Sequence, residues 1–372
     1  PWPSSVFTVA DESTDTGRRI NLAMESMPEN KAGVVVDPTE WNRNDGFSPS
    51  QSIVTQVPGL DLEETGVPPL GDLEQSLDID APVVVIRAST GEPHLIFGEL
   101  DVHAEDPADQ TFIIRPMAQF ERGERYIVAL RNLKDGAGNL IEAPEVFRAF
   151  RDDTLTDNEA IEARRPAMED IFATLEDAGI AREELYLAWD FNVASVRDIT
   201  ERVLHIRDEA FAELANAAPT FSVTDVVDFE PCDASGCQEG QSDEISREIS
   251  GTFQVPNFLD SDDGGPGSAF YYDTPDDGLP DRMGGDNLLD AVLLCRVPRS
   301  VAEDFEQEPT VVARPYFFGH GLLGDVSEIR EPQNNAMMNE HQMMLCATNW
   351  IGFSSKDTAA AAQALGEWSK MA

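Results

Sequence analysis

The stretch YFFGHGLLGD, residues 316–325, decides how the C-terminal half of the chain is read. An aromatic run ends in Gly-His-Gly-Leu-Leu-Gly. Gly319, Gly321 and Gly324 satisfy G-x-G-x-x-G, which cradles a pyrophosphate where a strand turns into a helix. That use also needs an acidic residue at the end of the next strand, to hold ribose hydroxyls. The next apolar run, MMLCATNW, ends in Asn349 and Trp350, with no acid. His320, between the first two glycines, would crowd the phosphates. A second use fits better. A loop leaving a sheet strand can aim backbone N–H groups at the oxyanion of acyl transfer, and glycine lets that backbone come close. The donor is then the N–H of Gly321 or Leu322, and His320 orients the loop rather than acting as a base. A tight strand-to-helix turn without chemistry is the plain alternative.

Composition narrows the partners. The chain has 372 residues, enough for two or three domains, and 41% hydrophobic content, enough for real cores. Its 70 acidic and 26 basic residues give a formal charge of −44. Lys31, Lys134, Lys356 and Lys370 are the only lysines. Such a surface repels phosphate backbones and argues against nucleic-acid binding. No apolar run reaches the roughly 18 residues of a membrane-spanning helix. The first residue is Pro1 rather than Met, which reads as a processed or trimmed N-terminus.

Cys232 and Cys237 bracket the polar loop CDASGC, a spacing suited to a small disulfide in an oxidising compartment. Zinc would need two more soft ligands nearby in sequence, and none is there. Cys295 and Cys346 lie inside apolar runs and read as buried thiols.

Along the chain, residues 1–81 are rich in Pro, Gly, Ser and Asp and read as an extended wrap, with Trp2, Phe7, Trp41 and Phe47 spaced like anchors. From 82 to 150 the pattern is all-β: APVVVIRA, PHLIFGELDV, QTFIIRPM, RYIVALRNL and EVFRAFR are short strands between turns, as in a small β-sandwich. Met168, Ile171, Phe172 and Leu175 then give helical spacing, which Gly179 ends. ELYLAWDFNV reads as a strand. Ser195 caps a second helix whose apolar face is Ile199, Val203, Ile206, Ala210 and Leu214, with His205 beside it as a packed or surface residue. Residues 218–372 alternate strands with acidic loops and then with helices, which implies a parallel sheet.

The loop DTPDDGLPD offers Asp273, Asp276, Asp277 and Asp281 around a glycine. Calcium suits such an oxygen-rich loop, although the spacing is not that of an EF-hand; a solvated acidic loop is the other reading. Ser354, Ser355 and Asp357 read as helix-capping residues rather than as chemistry.

HGLLG after an apolar strand, followed by CATNWIGFSSKD, resembles secreted bacterial α/β-hydrolases of the lipase/esterase type. PWPSSVFTVADESTDTGRRINL, DGFSPSQSIVTQVPGLDLEETG, RYIVALRNLKDGAGN and LYLAWDFNVAS are similar to the long N-terminal region of the bacterial virulence-factor lipase group. The resemblance covers most of the chain, with acidic insertions near 232–245 and 260–287. It implies a multidomain protein: the extended region 1–81, an Ig-like β-sandwich with helical insertions over 82–217, and the first half of an α/β-hydrolase sheet over 218–372. The first four strands of that sheet fall near 247–257, 289–297, 310–318 and 343–349. The second and fourth are neighbours in that fold, so Cys295 and Cys346 come close and pair if the register allows. The implied activity is hydrolysis of a carboxylic ester or lipid-like substrate outside the cell, with no required cofactor.

One departure is large. No G-x-S-x-G occurs, and the look-alikes GFSPS at 46–50 and GFSSK at 352–356 lack the second glycine. In the family the nucleophile follows the helix that starts near 357. The nucleophile, the catalytic acid and the catalytic histidine are therefore expected beyond residue 372. A sheet ended at its third strand would leave an apolar edge open, for further chain or a second polypeptide to complete. A non-enzymatic extracellular assembly protein on a hydrolase-like scaffold is the alternative function.

Overall fold

Alternating and continuous apolar runs set most of the strands of the first half of the chain. In the computed structural model, residues 1–106, 109–214, 218–237, 240–273, 277–284, 287–302 and 311–366 are described, in two compact units. Unit 1 comprises Pro1–Ser26 and Pro38–Glu201, and unit 2 comprises Met27–Asp37 and Arg202–Ala372. The protein is β-rich, with several separate sheets and few helices.

In unit 1, β1 (Thr8–Ala10) and β2 (Arg18–Ile20) form a hairpin. β3 (Ile53–Gln56), β5 (Ile96–Leu100) and β6 (Thr111–Pro116) form an antiparallel sheet in the order β3-β6-β5. β4 (Val83–Arg87), β7 (Arg125–Arg131) and β8 (Leu185–Asn192) form another, in the order β4-β7-β8. Central β6 alternates, burying Phe112 and Ile114. Central β7 is buried from Tyr126 to Arg131, as a continuous apolar run predicts for a strand covered on both faces. Both sheets feed one core, in which Phe47, Phe120, Tyr126 and Phe191 meet ring to ring. Trp2 packs on Phe7 and Phe47 at 5.3 and 4.9 Å, so the N-terminal residues are laid on this core.

Four local expectations are corrected in unit 1 and at its boundary. The stretch read as a wrap also supplies β3 to a sheet. EVFRAFR is not a strand but helix α2 (Glu145–Arg151), after the short α1 (Leu62–Thr65). Phe147 and Phe150 are both buried. Residues three apart share a helix face but point oppositely from a strand, so one core face selects the helix. Trp41 is half exposed, not buried like Phe47. The third helical stretch behaves as read: α3 (Glu159–Asp177) buries Met168, Ile171, Phe172 and Leu175, and Gly179 follows it at φ 89°. The fourth does not. α4 (Val196–Leu214), within which the division between units falls, starts at Ser195, whose Oγ accepts from the Asp198 N–H at 3.0 Å. Its expected apolar face is not buried, and Val203 and Phe211 are more than half exposed.

Unit 2 holds β9 (Phe221–Asp228), β10 (Ile245–Pro256), β11 (Leu288–Pro298), β12 (Arg314–Phe318), α5 (Pro332–His341), β13 (Met343–Ala347) and α6 (Thr358–Gly366). The strand order is β12-β13-β11-β10-β9. The expected parallel sheet is corrected to a mixed one: among the described residues, only β12 and β13 run parallel. α5 lies between those two strands in sequence, and a parallel pair requires such a crossover. β10 and β11 instead form a long antiparallel pair, with the 260–287 insertion between their facing ends.

Small clusters hold this sheet, around Ile245, Met338 and Leu345, and around Leu294, Ile329 and Ala347. Beneath them lies an ionic network. Arg296 of β11 is 0% exposed and stands 3.1 Å from the Glu248 carboxylate of β10. Its Nη1 donates to Asn335 Oδ1 and its Nη2 to the Gly240 carbonyl, both at 2.6 Å. Arg330 completes the network with two hydrogen bonds to Glu248, at 3.0 and 2.7 Å. At the sheet edge, Tyr316 and Phe317 of β12 are 51% and 54% exposed.

Candidate functional site

The loop after β12 and the loop after β13 leave the same end of the one parallel pair, where strand C-termini open a crevice. Several bonds tie them together. Leu323 N–H donates to the Phe353 carbonyl at 2.8 Å, and Ser355 N–H to the Gly324 carbonyl at 2.7 Å. Val326 N–H donates to Asn349 Oδ1 at 3.0 Å, and Ser355 Oγ to Asp325 Oδ2 at 3.1 Å. A cavity of about 260 Å³ borders the second loop, with Leu289, Asn349, Ile351 and Lys356 among its walls.

His320 is the pin of this arrangement. It is 6% exposed, and its Nε2 lies 3.0 Å from the Trp350 backbone nitrogen. A backbone N–H can only donate, so Nε2 must be the unprotonated acceptor. The proton then sits on Nδ1, which donates to the Gly321 carbonyl at 2.8 Å. Both ring nitrogens are thereby committed, and His320 has no lone pair left to act as a general base.

Gly321 to Gly324 form a β-turn closed by Gly324 N–H to the Gly321 carbonyl at 3.0 Å, with Leu323 at φ 56° in the third position. The two expected donors differ. Gly321 N–H donates to Glu328 Oε2 at 2.9 Å, so a carboxylate already occupies it. Leu322 N–H has no acceptor among the described residues, and its residue is 73% exposed. The second residue of a β-turn does not spend its N–H on the turn itself, which leaves this donor for an outside anion. Glu328 also explains the third glycine. A Cβ at Gly324 would lie 1.7 Å from Glu328 Oε1, and the carboxylate would have to swing off the Gly321 N–H to make room.

Ser354 and Asp357 form a capping box: Asp357 Oδ2 accepts from the Ser354 N–H at 2.9 Å and from its Oγ at 2.8 Å. The hydroxyl of Ser354 is thus held by a cap.

Cys232 and Cys237 are joined in a disulfide, and so are Cys295 and Cys346. The second pair sits directly opposite in the β11–β13 register, with Cα atoms 4.0 Å apart. The one cluster of metal-type side chains among the described residues is Cys232, Cys237 and Asp243, but its sulfurs are bonded to each other. Asp243 Oδ1 there accepts the Cys232 N–H at 2.7 Å. In the aspartate loop, Asp281 Oδ2 takes the Asp273 N–H at 2.7 Å and Asp277 Oδ1 takes the Leu279 N–H at 2.9 Å. These carboxylates serve local turns; Asp276 lies outside the described residues.

Glu328, Trp350 and Asn349 are the site residues that sequence reading missed. Their roles depend on a backbone N–H, a carboxylate seven residues downstream and a neighbouring loop, none of which forms a motif. No family model matches the chain, and no curated protein matches it.

Proposed function

We propose that unit 2 carries the oxyanion loop of a secreted carboxylic-ester hydrolase, with Leu322 N–H as a donor. One observation carries this: His320 spends both ring nitrogens on holding the loop, and among the described residues the Leu322 N–H is left without an acceptor. A preorganised backbone donor stabilises charge that appears only in the transition state, because no donor has to be reoriented when that charge forms. Glu328 fixes the N–H beside it and shapes the turn.

The sheet supports the same reading. The neighbouring of 289–297 with 343–349, implied for the first half of an α/β-hydrolase sheet, corresponds to the β11–β13 pair. In this reading the two three-stranded sheets of unit 1 are an Ig-like sandwich. The half-exposed aromatics of β12 mark the edge where further chain, or a second polypeptide, adds the strand that presents the nucleophile. Disulfides suit an extracellular setting. No helix among the described residues is long and apolar enough to cross a membrane. Calcium at the aspartate loop would be structural, and a melting curve unmoved by chelator would remove it.

The test is turnover of a short-chain nitrophenyl ester by the native protein. His320→Ala lets the loop drift and is expected to lower kcat about 10²–10³-fold, the usual cost of a lost oxyanion donor, with KM nearly unchanged. Equal kcat in both proteins would refute the loop assignment. The same β12 edge also fits the assembly reading, in which it pairs with a second copy. A concentration-dependent dimer without ester turnover would favour that reading.

A further inference from the structure

Unit 1 contains a groove of about 720 Å³, within the size range of small-molecule sites. Its walls are mostly apolar and come from α2, α3, β8 and the N-terminal segment, with Phe147, Phe150, Met168, Trp189 and Trp2 among them, while Thr55 and Gln56 of β3 and Thr111 of β6 add polar groups. Trp189 keeps its indole N–H on the Pro3 carbonyl at 2.8 Å, so the ring presents only its apolar body.

One charged side chain lines this space, that of Arg164. It stands on α3 one turn before Met168, on the same helix face. Its situation is unusual in a chain with 70 acidic and 26 basic residues. Neighbouring arginines are paired: Arg165 with Glu162, Arg125 with Asp170 and Asp190, and Arg182 with Glu169. Arg164 has no ion pair or side-chain hydrogen bond among the described residues, and no acid lines the groove beside it. An unpaired guanidinium over an apolar groove, in a strongly acidic protein, is complementary to an apolar molecule with an anionic head.

We infer that this groove binds a single-chain alkyl carboxylate, with its tail along Phe147, Phe150 and Met168 and its head on Arg164. A guanidinium fork matches a carboxylate through two parallel hydrogen bonds. The −44 field disfavours a dianionic head, so a carboxylate is preferred over a phosphate monoester. The inference stands on unit 1 alone and does not depend on the ester-hydrolase reading.

The experiment is calorimetric titration of the full protein with octanoate, decanoate and dodecanoate below their micelle concentrations, with dodecyl phosphate and decanol as comparison ligands. Saturable one-to-one binding is expected, tightening about fourfold per added methylene, as alkyl burial requires. Arg164→Gln should weaken carboxylate binding at least tenfold while leaving decanol binding and the thermal melt unchanged, which separates a lost head contact from misfolding. Val146→Trp, on the exposed rim of the groove, should weaken all of these ligands together. Dodecyl phosphate binding more tightly than dodecanoate would overturn the choice of head group. Absence of saturable binding, because the groove is empty of function or is covered by the protein's own chain or a second copy, would overturn the site. Carboxylate affinity unchanged in Arg164→Gln would overturn it equally.

Discussion

At the scale of single residues, the candidate site is a small set of committed hydrogen bonds. Gly324→Ala would drive a Cβ into the Glu328 carboxylate. We expect a loss of about 0.5–1.5 kcal/mol, the worth of the Gly321 N–H bond given up as the carboxylate swings aside, measured by urea unfolding. Glu328→Ala in the same chain should recover part of it, because the clash partner is then gone. Strict additivity in that double-mutant cycle would contradict the packing described for the turn. A second residue, His94, gives a pH prediction. Its ring lies 4.5 Å from the Phe120 ring, and its Nε2 donates to the Ala118 carbonyl at 2.9 Å. Burial lowers its pKa below the ordinary value of 6.5, and the bond to Ala118 only partly opposes this. The unfolded chain therefore takes up this proton at higher pH than the folded one. The stability that His94 contributes is complete above pH 6.5 and is lost as pH falls from there towards the folded value. Denaturation midpoints between pH 8 and 5 should fall less in His94→Gln than in the parent. Parallel curves would show that His94 is not the titrating group.

At the scale of elements, the disulfides and the buried ions do different work. Cys295–Cys346 closes a separation of 51 residues and fixes the β11–β13 register, whereas Cys232–Cys237 closes only 5. Loop-closure entropy predicts that replacing the first pair by alanines costs about 4 kcal/mol, and the second about 2 kcal/mol. Chemical unfolding of the two double mutants checks the order, and a larger loss from the short loop would contradict it. In the ionic network, Glu248→Gln leaves Arg296 buried beside Arg330 without its counter-charge, and should cost about 3–5 kcal/mol. Replacing Arg296 by Met leaves Glu248 still paired with Arg330 and should cost less. The reverse order in thermal melts would mean that Glu248 is not what holds Arg296. Elements were legible where one periodicity dominated. The Met168–Leu175 spacing and the RYIVALR run each allow one structure. EVFRAFR was misread because seven residues that mix apolar and charged types satisfy both periods, and only the position of the core separates them. α4 shows the opposite failure. Its apolar spacing is real, but spacing cannot say whether a partner surface lies against it.

At the scale of the whole molecule, the β-rich multi-sheet character followed from the density of short β-branched runs. The mixed direction of the second sheet did not, because strand order is decided by contacts far apart in sequence. In the candidate site, the turn at HGLLG and the place of His320 within it were legible as a motif. The choice between Gly321 and Leu322 was not, since it turns on Glu328 reaching back to one N–H. Charge acts at this scale too. With a formal charge of −44, self-repulsion opposes the compact state, so added salt should raise the melting temperature by screening it. A melting temperature that falls with moderate sodium chloride would show that attractive pairs outweigh the repulsion.

The central proposal, that unit 2 carries an ester-hydrolase oxyanion loop and that the nucleophile is a serine outside residues 1–372, has a direct test. The native protein, with whatever chains co-purify, is treated with a fluorophosphonate probe, and the adduct is located by tandem mass spectrometry. The account predicts one labelled serine outside residues 1–372, on the same polypeptide or on a tightly associated one, with labelling slowed in His320→Ala. No adduct on folded protein, or an adduct on a serine within residues 1–372, would contradict it.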